Sequence, residues 1–472
     1  MLFNTPEYLI FFAGVLAAYY SLRHRAQNVL LLAASYFFYA NWDWRFLGLL
    51  LLSTLIDYRA GLAIQRARER GRPRTMKRVL ALSVGSQLAI LGFFKYFNFF
   101  ITSADALVQG LGFASSARTL TIVLPVGISF YTFQTISYTI DIYRGQFLPT
   151  RNAVDFALSV AFFPHLVAGP IQRARSLIVQ IERPRAVSSA WWARGIALFA
   201  VGLIRKVAIA DPAGALADSY FADPSAYSTV PLACGLLLYG LQIYNDFAGY
   251  SQMARGSANL LGFELMRNFR QPYFASDISE FWRRWHISLS TWLRDYLYIP
   301  LGGNRKGRVR TYCNLFITMV LGGLWHGASW NFAVWGALHG VYLAIYHFWS
   351  ERGIDAGRAP RAPFVRRALG TAAVFTLVTF SWLFFRAQDT ATTIAYLRGL
   401  LAFTAGSEGA VVPVVALWML TLAIDVPEEL AGDEIFVLRW PFGVRVAGAC
   451  AACLLLLVSG HLRHEPFIYF QF

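Results

Sequence analysis

The chain has 472 residues, of which 57% are hydrophobic and only 14% are charged, and its mean hydropathy is +0.46. Soluble domains usually carry about 25% charged residues, so this composition excludes a water-soluble globular protein and predicts an integral membrane protein. The formal net charge of +16 comes from Arg and Lys clustered between apolar runs. That pattern indicates membrane orientation by cytoplasmic loops and a surface for anionic lipids or a phosphorylated cofactor, and not nucleic-acid binding.

The cysteines give no sign of a disulfide framework. Only four occur, and Cys450 and Cys453 lie within the apolar run AGACAACLLLLV, where small packed residues are expected. The first apolar run lacks a preceding basic region, so we expect a retained membrane span and not a cleaved signal peptide.

Stretches of about 20 apolar residues predict spanning helices. Such stretches lie near residues 6–22, 28–42, 44–64, 79–101, 119–142, 153–171, 193–211, 229–248, 311–326, 330–349, 368–386, 411–425 and 442–461. Several are short or interrupted by Pro and Gly, so some are expected to be re-entrant or interfacial. We therefore predict an all-α polytopic membrane protein with roughly ten to thirteen membrane segments.

The charge of the loops predicts the orientation. Residues 22–27 are basic, and 66–78 contain seven Arg or Lys against one Glu, whereas Arg118 is the only basic residue of 102–118. The positive-inside rule places the two basic loops in the cytoplasm and 102–118 outside. Segments 303–310 and 352–367 are also predicted to be cytoplasmic, and both termini to lie outside.

Residues 276–303 differ from the apolar runs around them. Apolar residues with helical spacing are Ile278, Phe281, Trp285, Leu289, Trp292 and Tyr296. Glu280 and several arginines lie off that stripe, and Asp277 followed by Glu280 is typical of a capped helix start. We expect an amphipathic segment that lies along the membrane surface or slopes into a cavity, with His286 beside its apolar stripe.

Four of the eight histidines are expected to be interfacial or structural, namely His24, His347, His461 and His464. His165 differs because it lies between Pro164 and Pro170, which interrupt a helix. A broken helix in lipid is tolerated only where protein or water lines it, so His165 is a candidate pocket residue.

The segment LGGLWHGASWNFAVWGALHG, residues 321–340, is the strongest candidate for chemistry. Glycines on both sides of His326 permit close approach of a backbone or a substrate, and Trp325 and Trp330 are expected to shield the site from water. An imidazole is suited to take a proton from a hydroxyl near neutral pH. A helix-packing histidine explains the same pattern. A metal site is disfavoured, because His326 and His339 lack the ligand spacing of a zinc site and no Cys is near.

Other polar residues lie within apolar runs: Asp57, Asp141, Asn245 and Asp246. Buried carboxylates of this kind line ion paths in secondary transporters. Hydrogen bonds between helices, or pairing with an arginine such as Arg144, explain them equally well.

Six segments together resemble the membrane-bound O-acyltransferase family. They are residues 124–145, 162–171, 241–263, 281–304, 321–340 and the C-terminal PFIYFQF. The resemblance implies that His326 is the catalytic histidine and His286 the second member of the active site. His339, His165, Trp325, Trp330, Asn245 and Asp246 are then expected to support the pair or line its pocket.

The resemblance also implies a fold and an activity. The fold is a single domain, 1–472, with a catalytic core at about 120–350 and a ring of helices around a thinned centre, where cytoplasmic and exterior funnels meet. The implied activity moves an acetyl group from a cytoplasmic thioester, acetyl-CoA or an acyl carrier, to an exterior partner acetyltransferase. That partner would O-acetylate an exported polysaccharide such as alginate at the inner membrane, with no bound cofactor. Acyl or D-alanyl transfer to teichoic acid, lipid or protein is the alternative, and a secondary transporter is a more distant one.

Overall fold

The computed structural model describes residues 1–115, 118–350, 364–406, 409–459 and 467–468, and within these ranges the chain is helical with no β-strand. The helices there are α1 (Pro6–Ser21), α2 (His24–Asp43), α3 (Leu47–Glu69), α4 (Pro73–Leu91), α5 (Phe97–Gly110), α6 (Ile128–Arg144), α7 (Ala153–Ala161), α8 (Phe163–Leu166), α9 (Ala174–Glu182), α10 (Ser189–Ile204), α11 (Asp211–Ala222), α12 (Thr229–Leu260), α13 (Ile278–Arg284), α14 (Ile287–Leu293), α15 (Arg308–His326), α16 (Trp330–Ser350), α17 (Phe364–Arg386), α18 (Thr390–Leu401), α19 (Val411–Ala431) and α20 (Phe442–Ser459).

The helices form two compact units, of which the first comprises residues 1–195 and 254–266. In its core, the rings of Tyr138 from α6 and Phe156 from α7 lie 4.5 Å apart between centres. A β-carbon at Gly61 of α3 would collide with Tyr138, so the absence of a side chain there lets α3 and α6 approach closely.

The buried Asp57 is also explained within this unit. Its carboxylate accepts hydrogen bonds from the Ser83 hydroxyl at 2.5 Å and from the Gln87 amide at 2.6 Å, both in α4. Asp57 therefore joins α3 to α4, as expected for a hydrogen bond between helices.

The second unit comprises residues 196–253 and 267–472. Its helices α15 and α16 pack along a glycine seam formed by Gly323, Gly336 and Gly340. A β-carbon at Gly323 would collide with the Phe332 carbonyl oxygen, and one at Gly336 with the Met319 carbonyl oxygen. The seam therefore brings the two backbones into direct contact, as small residues do in membrane helix pairs.

Five helical stretches in the described part of the chain are long and apolar enough to cross a membrane. They are His24–Glu69, Pro73–Gly110, Phe364–Arg386, Val411–Ala431 and Phe442–Ser459. The first of these is 46 residues long and contains two of the predicted spans. These stretches support the predicted all-α membrane protein, whereas the total number of spans stays a prediction.

Two predicted spans are not continuous helices. The span 153–171 divides into α7 and the four-residue α8, and the chain then continues without helix through Pro170. Pro164 and Pro170 lack the N–H group that a continuing helix requires. The span 119–142 becomes helical only at Ile128, after Gly127 with a left-handed φ of 76°.

Some predictions fall on residues outside the described ranges. They concern residues 352–363 of the predicted cytoplasmic segment 352–367, His461 and His464, and the C-terminal motif apart from Phe467 and Ile468.

Candidate active site

His326 is the last residue of α15 and lies at the end of the glycine seam. The following Gly327 packs so tightly against the Phe332 ring that a β-carbon there would overlap it. Helix α16 begins at Trp330, only a few residues later. This short connection holds His326 against the first turns of α16.

Aromatic rings surround the His326 imidazole, and the residue is only 4% exposed. The ring centres of Trp325, Trp335 and Phe385 lie 5.0, 5.3 and 5.0 Å from its own. Bulky rings at this distance displace water, so proton transfer at His326 would take place in an apolar setting where charge interactions are strong.

His286 lies beside His326. Their ring centres are 6.2 Å apart, at an angle of 57° between the ring planes. Phe247 of α12 packs edge-on against His286 at 4.7 Å, and Trp325 lies 6.1 Å away on another side. The structure thus brings together two buried imidazoles that are far apart in sequence, close enough to act on one small group.

The helical segment is interrupted at His286, although the sequence predicted an uninterrupted helical stretch there. Helix α13 ends at Arg284 and α14 begins at Ile287, while His286 has left-handed backbone angles of φ 41° and ψ 53°. This conformation costs a residue with a β-carbon about 1–2 kcal/mol. Such strain persists where the surroundings enforce it, and it concentrates at functional sites.

Asn268 forms hydrogen bonds that help to hold the backbone next to His286, and the sequence analysis did not identify it. Its main-chain carbonyl oxygen accepts a hydrogen bond from the Ile287 N–H at 2.9 Å, and its side-chain Oδ1 accepts one from the Ser288 hydroxyl at 2.6 Å. Its Nδ2 donates to Ser251 Oγ of α12 at 3.0 Å. A single asparagine in the loop before α13 carries no pattern that would single it out in a sequence.

His339 lies behind the pair, next to a tryptophan that it shares with His326. Its Nε2 is 3.0 Å from Ser381 Oγ of α17, and its ring centre is 4.8 Å from that of Trp335. Trp282 packs against the same imidazole at 5.1 Å. His339 therefore fixes Trp335, which in turn contacts His326.

Trp330 and His165, which were also predicted to line or support the site, have different surroundings from the pair His286 and His326. Trp330 was expected to shield the site from water, but this residue, the first of α16, is 63% exposed. Trp335 and Phe385 contact the imidazole instead. His165 belongs to the first unit, where its Nε2 lies 3.0 Å from Gln134 Oε1 and joins the broken segment to α6.

Asn245 and Asp246 each bind a buried basic side chain in the second unit. The Arg205 guanidinium donates to Asn245 Oδ1 at 3.1 Å, and Lys206 Nζ lies 2.9 Å from the Asp246 carboxylate. Asp246 also accepts the main-chain N–H of Ile468 at 2.8 Å. These contacts are of the kind that the sequence analysis offered as the alternative to an ion path, namely pairing with basic residues and hydrogen bonds between segments.

A cavity of about 650 Å³ lies along α13 and α14. Its lining carries several cations and hydroxyls, including Arg270, Arg283, Arg284, Arg294, Ser290 and Thr291. The charged residues off the apolar stripe of 276–303 were the only signal of it in the sequence.

Glu280 sets part of the charge in this cavity. Burial raises the pKa of its carboxyl group, but the Ser276 N–H at 2.9 Å and the Arg284 guanidinium at 2.8 Å outweigh that effect and hold the pKa below its usual value. Arg284 also pairs with Glu429 at 2.8 Å. Arg294 likewise pairs with Asp295 at 2.8 Å. Arg270 and Arg283 therefore add to the positive field of the cavity.

Comparison with known proteins identifies the group to which these features belong. The family model of the membrane-bound O-acyltransferases matches residues 150–385, which include both histidines of the pair. The chain is 41% identical to the probable alginate O-acetylase of Pseudomonas putida, over the full length of both proteins. It is 47% identical to the probable alginate O-acetylase of Pseudomonas aeruginosa, over 82% of this chain and 72% of that protein.

A relative named for a different acceptor is also similar. The peptidoglycan O-acetyltransferase of Helicobacter pylori is 34% identical over 85% of this chain and 80% of its own length. Agreement of this extent covers both compact units and not one motif. The chain therefore belongs to the membrane-bound O-acyltransferase family.

Proposed function

We propose that this enzyme takes an acetyl group from a cytoplasmic thioester, acetyl-CoA, and delivers it for O-acetylation of an exported polysaccharide such as alginate. The observation that carries the proposal is the pair His286 and His326, buried with ring centres 6.2 Å apart at the end of α15. The full-length similarity to a probable alginate O-acetylase supports the choice of acyl group and of polysaccharide.

The donor is proposed to bind in the arginine-lined cavity along α13 and α14. Acetyl-CoA carries several phosphate charges, and guanidinium groups bind phosphate oxygens with directed hydrogen bonds. Ile287, the residue next to His286, lines the same cavity. A thioester held there would have its acyl end near the pair and its nucleotide end among the arginines.

His326 is proposed to act as the general base. An imidazole nitrogen removes the proton of the acceptor hydroxyl while its oxygen attacks the thioester carbonyl carbon. The C–S bond then breaks, and the thiolate of coenzyme A leaves and takes up the proton. His286 would orient the thioester carbonyl, and the aromatic rings around both imidazoles would exclude water, which competes as an acceptor.

The acceptor side is proposed to lie outside the cytoplasm. An exported polysaccharide and its donor are on opposite sides of the inner membrane, so only the acetyl group needs to cross. An exterior acetyltransferase is the proposed partner that passes the group to the glycan. Acyl or D-alanyl transfer to another acceptor remains the second candidate, because the same histidine pair serves any hydroxyl nucleophile.

The test is the acetyl content of the secreted polysaccharide in a host that lacks the gene and in the same host complemented with the wild-type protein or with His326→Ala. We expect acetylation to return only with the wild-type protein. Isolated membranes given radiolabelled acetyl-CoA should label the polysaccharide under the same conditions. Unchanged acetylation in the host without the gene would contradict the proposed acceptor.

A further inference from the structure

The break at His286 is held by a set of buried hydrogen bonds that the proposed reaction does not use directly. We name the side chains of Ser251, Asn268 and Ser288 the Asn268 bridge. All three residues are buried, with exposures of 3%, 1% and 1%. The bridge runs from α12 through the Asn268 side chain to the first turn of α14.

The hydrogen bonds lie on both sides of the strained residue. After His286, the Ile287 N–H and the Ser288 hydroxyl both donate to Asn268. Before His286, the Arg284 carbonyl oxygen accepts the Arg270 N–H at 2.9 Å. The short segment 268–270 is therefore hydrogen-bonded to the chain on both sides of His286. This attachment explains the left-handed backbone angles of His286.

The chemistry of the bridge requires an amide side chain. Asn268 accepts from Ser288 through Oδ1 and donates to Ser251 through Nδ2, and its carboxamide carries this acceptor and this donor on one short planar group, whereas an ionised carboxylate only accepts. The main-chain hydrogen bond to Ile287 does not depend on the side chain. Truncating Asn268 therefore removes the bridge and leaves the main-chain contact in place.

We propose that Asn268 is a positioning residue: its bridge keeps His286 in the left-handed conformation that directs the imidazole toward His326. This inference rests on the proposed function, because it acts through the role given there to His286. Without the bridge, the backbone at residue 286 relaxes toward common angles and the ring leaves its place beside His326. A displacement of about 1 Å at a reacting group can lower a rate by roughly 100-fold.

The experiment measures kcat and the KM for acetyl-CoA in membranes that contain the full-length protein, normalised to the amount of folded protein. Asn268→Ala should lower kcat by roughly 10–100-fold, as the loss of groups that orient active-site ligands does, and leave the KM little changed. The double variant Asn268→Ala/His286→Ala should be no slower than His286→Ala, because a residue that acts only through His286 has nothing further to lose.

A matched control is Asn259→Ala. Asn259 is equally buried and donates from Nδ2 to the Phe263 carbonyl oxygen at 2.9 Å, but it belongs to the first unit. Its loss should leave kcat near the wild-type value. If Asn259→Ala and Asn268→Ala lose activity equally, the role of Asn268 is structural only and the proposal is wrong.

Other outcomes separate this inference from the proposed function. A wild-type kcat in Asn268→Ala, or losses that multiply in the double variant, would overturn the positioning role alone. A wild-type rate in His286→Ala would overturn the role of His286 and this inference with it. If Asn268→Ala does not fold, Ser288→Ala removes the same hydrogen bond from the other partner, and it should lower kcat by about 10-fold.

Discussion

At the level of single residues, His326 is buried and is the last residue of α15. Its imidazole is held by the side chains around it. Trp325, Trp335 and Phe385 contact it through their rings. An amide of similar size can fill the same space and form hydrogen bonds, but it cannot accept a proton at neutral pH. His326→Gln therefore separates basicity from packing.

We expect His326→Gln to lower the rate of acetyl transfer by about 10²–10⁴-fold, the usual contribution of a general base. The measurement is incorporation of labelled acetyl groups in membranes, normalised to inserted protein. The variant should keep the wild-type profile in size-exclusion chromatography. A near-normal rate in a well-folded Gln variant would show that His326 only packs.

The two remaining histidines near His326 should differ in effect. His286 lies directly beside it, whereas His339 bonds to Ser381 and packs against Trp335, which contacts His326. We predict a severe loss, about 10²–10⁴-fold, for His286→Ala and a partial loss for His339→Ala. Transfer rates of the two variants measured side by side check this. An inactive His339→Ala beside a near-normal His286→Ala would reverse the two roles.

At the level of elements, the sequence predicted the α15–α16 pair well and the segment around His286 poorly. Glycines and apolar runs in 321–340 report local backbone packing, which a sequence displays directly. The break at His286 depends instead on Asn268 and Ser251, which are distant in the chain. The apolar spacing continues through the break, so the pattern alone favoured one helix.

The glycine seam offers a test at this scale. Gly336→Ala places a methyl group against the Met319 carbonyl oxygen, so α16 must move away from α15. Overpacking of this kind typically costs about 1–3 kcal/mol. We expect a lower melting temperature in detergent and a reduced transfer rate, because the displacement moves Trp335 relative to His326.

The matched control for this change is Gly14→Ala in α1. A β-carbon at Gly14 meets open space, and alanine favours a helix over glycine by roughly 0.5–1 kcal/mol. This variant should melt at or above the wild-type temperature. Equal destabilisation of both variants would mean that the seam has no special role in holding His326.

At the level of the whole molecule, composition was enough to predict an all-helical membrane protein, and six separate motifs were enough to indicate the family. The ion-pair partners of the charged residues could not be predicted from the sequence, because pairs such as Lys206 with Asp246 join segments that are far apart in the chain. Asp246 therefore resembled an ion-path carboxylate in the sequence, although it serves as a structural partner in the fold.

The orientation of the first unit in the membrane is the last prediction. Loop charge places 66–78 in the cytoplasm and 102–118 outside. Within these loops, Ala67 is buried and unsuitable for labelling, whereas Arg70 and Ala114 are exposed. Cys313, Cys450 and Cys453 are exposed as well, so the test requires a background in which the native cysteines are replaced.

In that background, Arg70→Cys should be protected from a membrane-impermeant thiol reagent in intact spheroplasts and should react once the membrane is opened. Ala114→Cys should react in both conditions. Both positions lie in the first unit, so the comparison does not depend on the placement of the second. Labelling of Arg70→Cys but not Ala114→Cys in intact spheroplasts would reverse the orientation. The basic loops 22–27 and 66–78 would then face the exterior, against the positive-inside rule.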